Sequence, residues 1–178
     1  ACPELQALAL TMLQYSPKVA CLRKDAVVLE AAASLALFGG VRALWRRIRQ
    51  TLLQLPGTWR MGMGPSATGA WLLAGSPNPA KRALRISRLV GLLAPLPVQR
   101  LPETLPHQAW LDGIGCRKLG ALRALPRQGL QQRSSPLLLQ ALDQAYAQAP
   151  ETLAWFQPPA RFCQAHELDF HLHQADAL

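Results

Sequence analysis

The stretch DAVVLEAAASLALFGG, Asp25 to Gly40, decides how this chain is to be read. Asp25 opens it, an apolar run carrying Glu30 follows, and Leu37-Phe38-Gly39-Gly40 closes it before an arginine-rich segment. Just upstream, Val19 to Leu22 forms a second short apolar run, separated from Ala26 to Glu30 by Arg23-Lys24-Asp25. Two such runs around a tight polar turn predict an antiparallel hairpin. What the two acids do, ligate a metal or hold the backbone, decides whether the segment carries chemistry.

Outward from the hairpin, helical spacing dominates. Leu5, Leu8, Met12 and Tyr15 predict a helix over Glu4 to Tyr15, stopped by Ser16-Pro17, because proline cannot donate the next helical hydrogen bond. Beyond Gly40, Val41, Leu44, Trp45, Ile48 and Leu52 share one helical face, while Arg42, Arg46 and Arg49 recur on another. Pro56-Gly57 ends that helix. Thr58 to Met63 reads as a further strand, and Ser66 to Ala74 as a helix entered through Gly64-Pro65. Lys81, Arg85 and Arg88 repeat the helical spacing as a second basic stripe, with Leu84 and the Leu89 to Leu93 region supplying its apolar side. From Pro95 onward the texture changes to short helices broken by proline and glycine, which places a domain boundary near residue 94.

Charge is the most informative total. The 178 residues carry a net charge of +9, and no Asp or Glu occurs from Ala31 to Pro102. That segment holds Arg42, Arg46, Arg47, Arg49, Arg60, Lys81, Arg82, Arg85, Arg88 and Arg100. A one-signed field of this length attracts a polyanion, and nucleic acid is the commonest one. The bland alternative is a solvated basic surface. No apolar run approaches the roughly 18 residues a membrane span needs, so the chain is expected to be soluble, cytoplasmic and free of the membrane. Cys2, Cys21, Cys116 and Cys163 form no C-x-x-C pair, which excludes zinc-ribbon and thioredoxin-type motifs and leaves them as free thiols. Gly113-Ile114-Gly115 between two short helices, with Arg117 and Lys118 beside it, could turn backbone N–H groups toward a phosphate. It could equally be a tight turn that needs glycine.

In order and spacing these segments resemble the Y-family translesion DNA polymerases, most closely their ImuB-type branch. The resemblance rests on Tyr15-Ser16-Pro17, on Asp25 to Gly40 with its Leu-Phe-Gly-Gly end, and on the helix entry from Gly64 to Ala74. It continues through Leu111, Ile114-Gly115, Arg117, Gly120, Leu122 and Leu125-Pro126-Arg127, and on through Leu139 to Ala147. It implies an α+β chain: a partial palm with a mixed or antiparallel sheet and helices over 1–94, a small helix-hairpin-helix thumb over 95–157, and a linker toward a little-finger domain over 158–178. It also implies that the first palm strand, with its catalytic Asp, lies upstream of Ala1.

The same resemblance tests the chemistry. Nucleotidyl transfer by two metal ions needs several carboxylates converging at one point. The family's catalytic Asp falls on Asp25, but its adjacent Glu falls on Ala26, and its triphosphate-contacting Lys falls on Ala67 beside Ser66. Asp25 then reads as a vestigial position, a turn acid bonding its own backbone two residues on, and Glu30 as a structural hydrogen-bond acceptor. Near the family's first phosphate-binding Gly-x-Gly stands Arg100-Leu101-Pro102.

Two other groupings are weaker. Glu167, Asp169, His171 and His173 alternate onto one face of a strand-like segment and could ligate zinc, or could line a solvated edge. The five tryptophans are spread through the chain as core or interface anchors, and Ser134-Ser135 has no neighbouring base that would make a hydrolase.

The expectation is therefore a non-catalytic Y-family homologue without cofactor, serving as a DNA-binding adaptor in SOS-induced translesion synthesis and mutagenesis. The residues expected on DNA are Arg42, Arg46, Arg49, Lys81, Arg85, Arg88, Gly113, Gly115, Arg117 and Lys118. Expected partners are primer-template DNA, the sliding clamp, a RecA-like companion of the ImuA type and an error-prone replicative-class polymerase, all at the bacterial nucleoid. Two alternatives stay open: an active magnesium-dependent polymerase whose upstream Asp joins Asp25, and a protein scaffold without DNA binding.

Overall fold

A computed structural model describes residues 3–77 and 81–158. The fold is α+β. Helix α1 (Pro3–Met12) leads into the hairpin of β1 (Val19–Leu22) and β2 (Ala26–Leu29), antiparallel with Val19 opposite Leu29 and Leu22 opposite Ala26. A 3₁₀ turn (Ala32–Ser34) and the glycine turn precede α2 (Val41–Gln54), followed by α3 (Ala67–Gly75) and α4 (Ile86–Leu93). Two 3₁₀ turns (Val98–Arg100 and Pro102–His107) then lead to α5 (Gln108–Gly113), α6 (Leu119–Ala124), α7 (Arg127–Arg133) and α8 (Pro136–Ala145).

Two apolar clusters organise these elements. In the first, Leu8, Ala9 and Met12 of α1 and Leu44 and Ile48 of α2 close over Tyr15 and Val19. Tyr15 fixes α2 from below, its hydroxyl meeting the Arg47 carbonyl at 3.2 Å and the Thr51 hydroxyl at 2.6 Å. The second cluster runs from Leu72 and Leu73 of α3 through Leu89, Leu92 and Leu93 of α4 to Leu111, Leu119, Leu122, Leu138 and Tyr146. Helices α3 and α4 thus share one core with the helices that follow residue 94.

The hairpin, α2, and α3 behind its Gly64-Pro65 entry form where the sequence patterns put them, and α1 forms there but ends at Met12, short of the expected Tyr15. Two expectations need correction. Thr58 to Met63 is no strand: its one ladder contact is an isolated parallel bridge from Met63 to Arg82. Lys81 to Arg85 is extended rather than helical, because Met63 N–H donates to the Lys81 carbonyl and Ala83 N–H to the Met63 carbonyl, each at 2.8 Å. Helix α4 starts only at Ile86, so Lys81 and Arg85 do not share a helical stripe with Arg88, and Leu84 is 63% exposed instead of packing inward. Among the described residues no helix is long and apolar enough to cross a membrane.

Candidate nucleic-acid interface

The basic surface begins at the turn that launches α2. Gly39 and Gly40 adopt φ of 76° and 92°, in the left-handed region where a Cβ would be strained. The turn points the chain so that Leu44 and Ile48 face the core, which leaves Arg42, Arg46 and Arg49 exposed on the outer face. The extended segment Lys81 to Arg85 runs beside them. Strand alternation sends Ala83 inward, fully buried, and Arg82 outward, where its guanidinium lies 5.3 Å from the centre of the Trp45 ring. Trp45 stands on α2 between Arg42 and Arg46, so this contact brings a cation from the later basic segment beside those of α2. Arg85, which precedes α4, and Arg88 within it are both exposed.

Lys81 lies on the other side of the same segment, half-buried, with its ammonium donating to the Ala74 carbonyl at 3.4 Å and to the Ser76 carbonyl. Burial first, then the positive charges of Arg60 and Arg100, hold its pKa below the ordinary lysine value.

The glycine turn of the helical half is less open than its sequence implies. Gly115 has φ of 68°, and a Cβ on Gly113 or Gly115 would meet nothing within 4 Å. Yet the nearby amides are already engaged. Ile114 N–H donates to the Trp110 carbonyl, Gly115 N–H to Asp112, and Cys116 N–H to Leu111 at 2.8 Å. At the start of α6, Leu119 N–H donates to the Leu96 carbonyl and Gly120 N–H to Ala94. What this turn offers outward is the exposed Arg117 and Lys118 side chains, beside Ile114 at 46% exposure.

Asp25 stands at the hairpin tip, where its Oδ1 accepts the Trp71 indole N–H at 3.2 Å. The turn acid therefore bonds across to α3, not to its own backbone two residues on. Arg23 lies 4.6 Å over the same Trp71 ring and pairs with Glu103 at 2.9 Å. Arg23 accepts a left-handed backbone, φ 56°, to reach both partners, a conformation that costs an ordinary residue about 1 kcal/mol. Glu30 accepts the Ala32 N–H at 2.7 Å, the structural role expected of it.

These residues do not fit a paired-magnesium centre. Asp25 shares its tryptophan with a guanidinium, and among the described residues no three His, Cys, Asp or Glu side chains cluster to hold a metal. The 167–173 segment proposed for zinc lies outside the described residues. Cys21 and Cys116 are free thiols, Cys116 buried with its pKa raised by burial.

Along β2, between α2 and α3, runs a groove of about 760 Å³ lined by Val27, Leu29, Trp45, Ile48, Met61 and Trp71, with Asp25, Arg60 and Arg100 also on its walls. The N-terminus of α3, at its edge, is filled from within the chain. Ser66 caps it, accepting the Gly69 N–H at 3.1 Å and donating to the Ala145 carbonyl at 3.0 Å. The Glu151 carboxylate takes the Thr68 N–H at 3.0 and 3.2 Å and the Thr68 hydroxyl at 2.8 Å. A few residues on, the irregular strap 151–158 that carries Glu151 closes against the hairpin, with Phe156 N–H bonded to the Val19 carbonyl at 2.6 Å and Lys18 5.8 Å from the Trp155 ring.

Sequence reading missed Arg23, Trp71 and Glu151, whose partners are distant in sequence. Arg60 was visible only as a member of the acid-free run, and Arg100 there and near the position of the family's Gly-x-Gly.

Fold and surface together define an α+β chain with exposed cations on α2 and the segment that follows α3, and no assembled metal centre among its described residues. No protein-family model matches it. Protein ImuB from Caulobacter vibrioides, in strain NA1000 / CB15N and in strain ATCC 19089 / CIP 103742 / CB 15, is 29% identical over 154 residues, or 86% of this chain. The chain spans about a third (33%) of the length of these curated relatives. The resemblance to the ImuB-type branch, read from motifs, thus extends over most of the sequence.

Proposed function

We propose that this chain is part of a non-catalytic, DNA-binding adaptor acting in SOS-induced translesion synthesis and mutagenesis. The observation that carries this reading is the contact of Arg82 with Trp45, which sets a cation of the later segment beside Arg42 and Arg46 on α2, where several cations could meet a phosphate backbone. The exposed Arg42, Arg46, Arg49, Arg85 and Arg88 extend that face, and Arg117 and Lys118 supply cations on the helical half. The similarity to Protein ImuB supports a place in tolerance of DNA damage.

Three features support an adaptor rather than a polymerase. Asp25 is engaged by Trp71 beneath Arg23; Ala26 and Ala67 stand where the family resemblance places a carboxylate and a cation; and the Glu151 carboxylate occupies the N-terminus of α3, where it would repel a triphosphate. The adaptor requires no cofactor of its own. Its partners in this reading are primer-template DNA, the sliding clamp, a RecA-like companion of the ImuA type and an error-prone replicative-class polymerase, met at the nucleoid.

The deciding experiment pairs two assays on the full-length protein. Primer-template affinity, measured by fluorescence anisotropy across a salt series, should fall steeply with salt and weaken several-fold in Arg46→Glu and Arg85→Glu. Primer extension with magnesium should give no template-dependent incorporation. Incorporation abolished by Asp25→Ala would establish the polymerase reading, and affinity indifferent to both charge reversals would leave a scaffold that does not bind DNA.

A further inference from the structure

We infer that the groove along β2 takes unpaired bases of a single nucleic-acid strand, stacked on tryptophan. The inference rests on the DNA-binding reading and deepens it, adding base contacts to a surface so far argued from phosphate charge alone.

Four of the chain's five tryptophans line this one groove. Trp45 comes from α2, Trp59 from the segment after it, Trp71 from α3 and Trp155 from the strap. None of them is fully buried: Trp45, Trp59 and Trp71 are half-buried, and Trp155 is 42% exposed. Three of the rings are held by a cation. Arg82 lies 5.3 Å from the centre of Trp45, Arg23 4.6 Å from Trp71 and Lys18 5.8 Å from Trp155. The indole N–H of Trp59 donates to the Pro56 carbonyl at 2.9 Å, and that of Trp71 to Asp25 at 3.2 Å. Rings fixed in this way lose little further freedom when a second flat group stacks on them. At about 760 Å³ the groove falls within the range of roughly 300–1,000 Å³ found for sites that enclose small organic ligands.

Charge selects the occupant. The groove wall carries Asp25, Glu30, Arg60 and Arg100. Both acids already accept a hydrogen bond, Asp25 from Trp71 and Glu30 from the Ala32 N–H, whereas Arg60 and Arg100 are exposed. Arg23 is balanced by Glu103. With Arg82 and Lys18 on their rings, four cations then stand against two engaged acids. An apolar peptide would use the aromatic wall and leave the cations idle. A nucleic-acid strand couples a flat π face to an anion at every unit and so uses both, and only an unpaired strand has those faces free.

The test compares two probes on the full-length protein by fluorescence anisotropy at one salt concentration: a labelled oligothymidylate, and an abasic oligomer of equal length that keeps the phosphates and lacks the bases. Wild type should bind the oligothymidylate about five-fold more tightly or better, the effect of one stacked base. Trp45→Leu and Trp155→Leu, which keep an apolar side chain, should each shrink that ratio, and Trp45→Phe should restore part of it. Trp155 is the most exposed of the four rings, so its variant decides should Trp45→Leu fail to fold. Equal affinity for the two probes in wild type would overturn the stacking site and leave a phosphate-binding adaptor. A preference that survives both leucine substitutions would place the bases elsewhere and leave the groove to an apolar protein segment, which also overturns the assignment. Failure to bind either probe or primer-template DNA would sink the adaptor reading together with the site.

Discussion

Replacing Glu151 with Ala should cost about 3 kcal/mol of stability, although Glu151 lies in an irregular strap outside the helix it supports. Its carboxylate is the partner of two Thr68 donors, the amide at 3.0 and 3.2 Å and the hydroxyl at 2.8 Å, and Thr68 itself is buried. A hydrogen bond to a charged group contributes about 1.5–3 kcal/mol net, and a negative charge at a helix N-terminus adds about 0.3–1 kcal/mol. Two donors give a sum near 3 to 6 kcal/mol, and the lower end applies because Glu151 is only half-buried and part of its charge remains hydrated. Urea denaturation followed by far-UV circular dichroism measures the loss directly, and a thermal midpoint lower by about 6–12 °C should accompany it at this chain length. Glu151→Gln keeps one acceptor and should lose roughly half as much. Thr68→Val, combined with Glu151→Ala in a double-mutant cycle, isolates the hydroxyl bond and should show a coupling of about 1 kcal/mol. A Glu151→Ala loss below about 0.5 kcal/mol, the level of an ordinary surface change, would refute the claim that the strap completes α3.

Other expectations test the packing. Gly62→Ala should abolish cooperative unfolding or cost more than about 3 kcal/mol, since the new Cβ would collide with the Ala70 carbonyl oxygen and approach the Ala74 nitrogen to 2.6 Å, and helix backbone cannot yield as a side chain can; equilibrium denaturation checks it. Gly115→Ala should cost about 1 kcal/mol for its φ of 68°, while Gly113→Ala, with no positive φ and no neighbour within 4 Å, should be neutral or slightly stabilising. Burial pushes the Tyr146 hydroxyl up to about 12, from an ordinary value of 10.0, with the nearby Arg123 opposing the rise. The folded state then keeps a proton that the unfolded chain releases, so this contribution is intact below pH 10 and is lost as pH climbs toward 12, by about 2 to 3 kcal/mol. Tyr146→Phe should flatten that alkaline decline and cost little at neutral pH, because the buried hydroxyl has no hydrogen-bond partner among the described residues.

Local patterns carried the parts of the fold that local physics determines. The hairpin, the Leu-Phe-Gly-Gly turn and α2 were legible because a polar turn between apolar runs, a glycine pair and a 3.6-residue period each act within a few residues. Lys81 to Arg85 misled because lysine and arginine at positions 81, 85 and 88 keep helical spacing on any backbone, whereas the conformation was set by two hydrogen bonds to Met63, eighteen residues or more away in the chain. Thr58 to Met63 has strand-like composition but finds only the bridge at Met63, and a strand without a paired neighbour does not register as one. The basic interface was legible as a list of cations and not as a surface, since nothing near Trp45 in the sequence indicates that Arg82 will cover it.

The hairpin tip gives a residue aligned by likeness with a catalytic acid a structural partner of its own. Asp25 bonds the Trp71 indole, Trp71 lies under Arg23, and Arg23 pairs with Glu103, so one tryptophan and one arginine tie the hairpin to α3 and to the 3₁₀ turn before α5. That network gives Asp25 a structural reason to be an acid. A divalent cation at the same carboxylate would have to compete with the indole N–H and would face the guanidinium stacked on the same ring, while the carboxylates needed to offset that repulsion do not gather there among the described residues. Separating the two roles needs only Asp25→Asn, which retains an oxygen for Trp71 while removing the charge a metal would require. Stability close to wild type together with unchanged DNA affinity fits an acid kept for its hydrogen bond. A large gain in stability on adding magnesium, present in wild type and absent in Asp25→Asn, would instead show that the carboxylate still serves a cation.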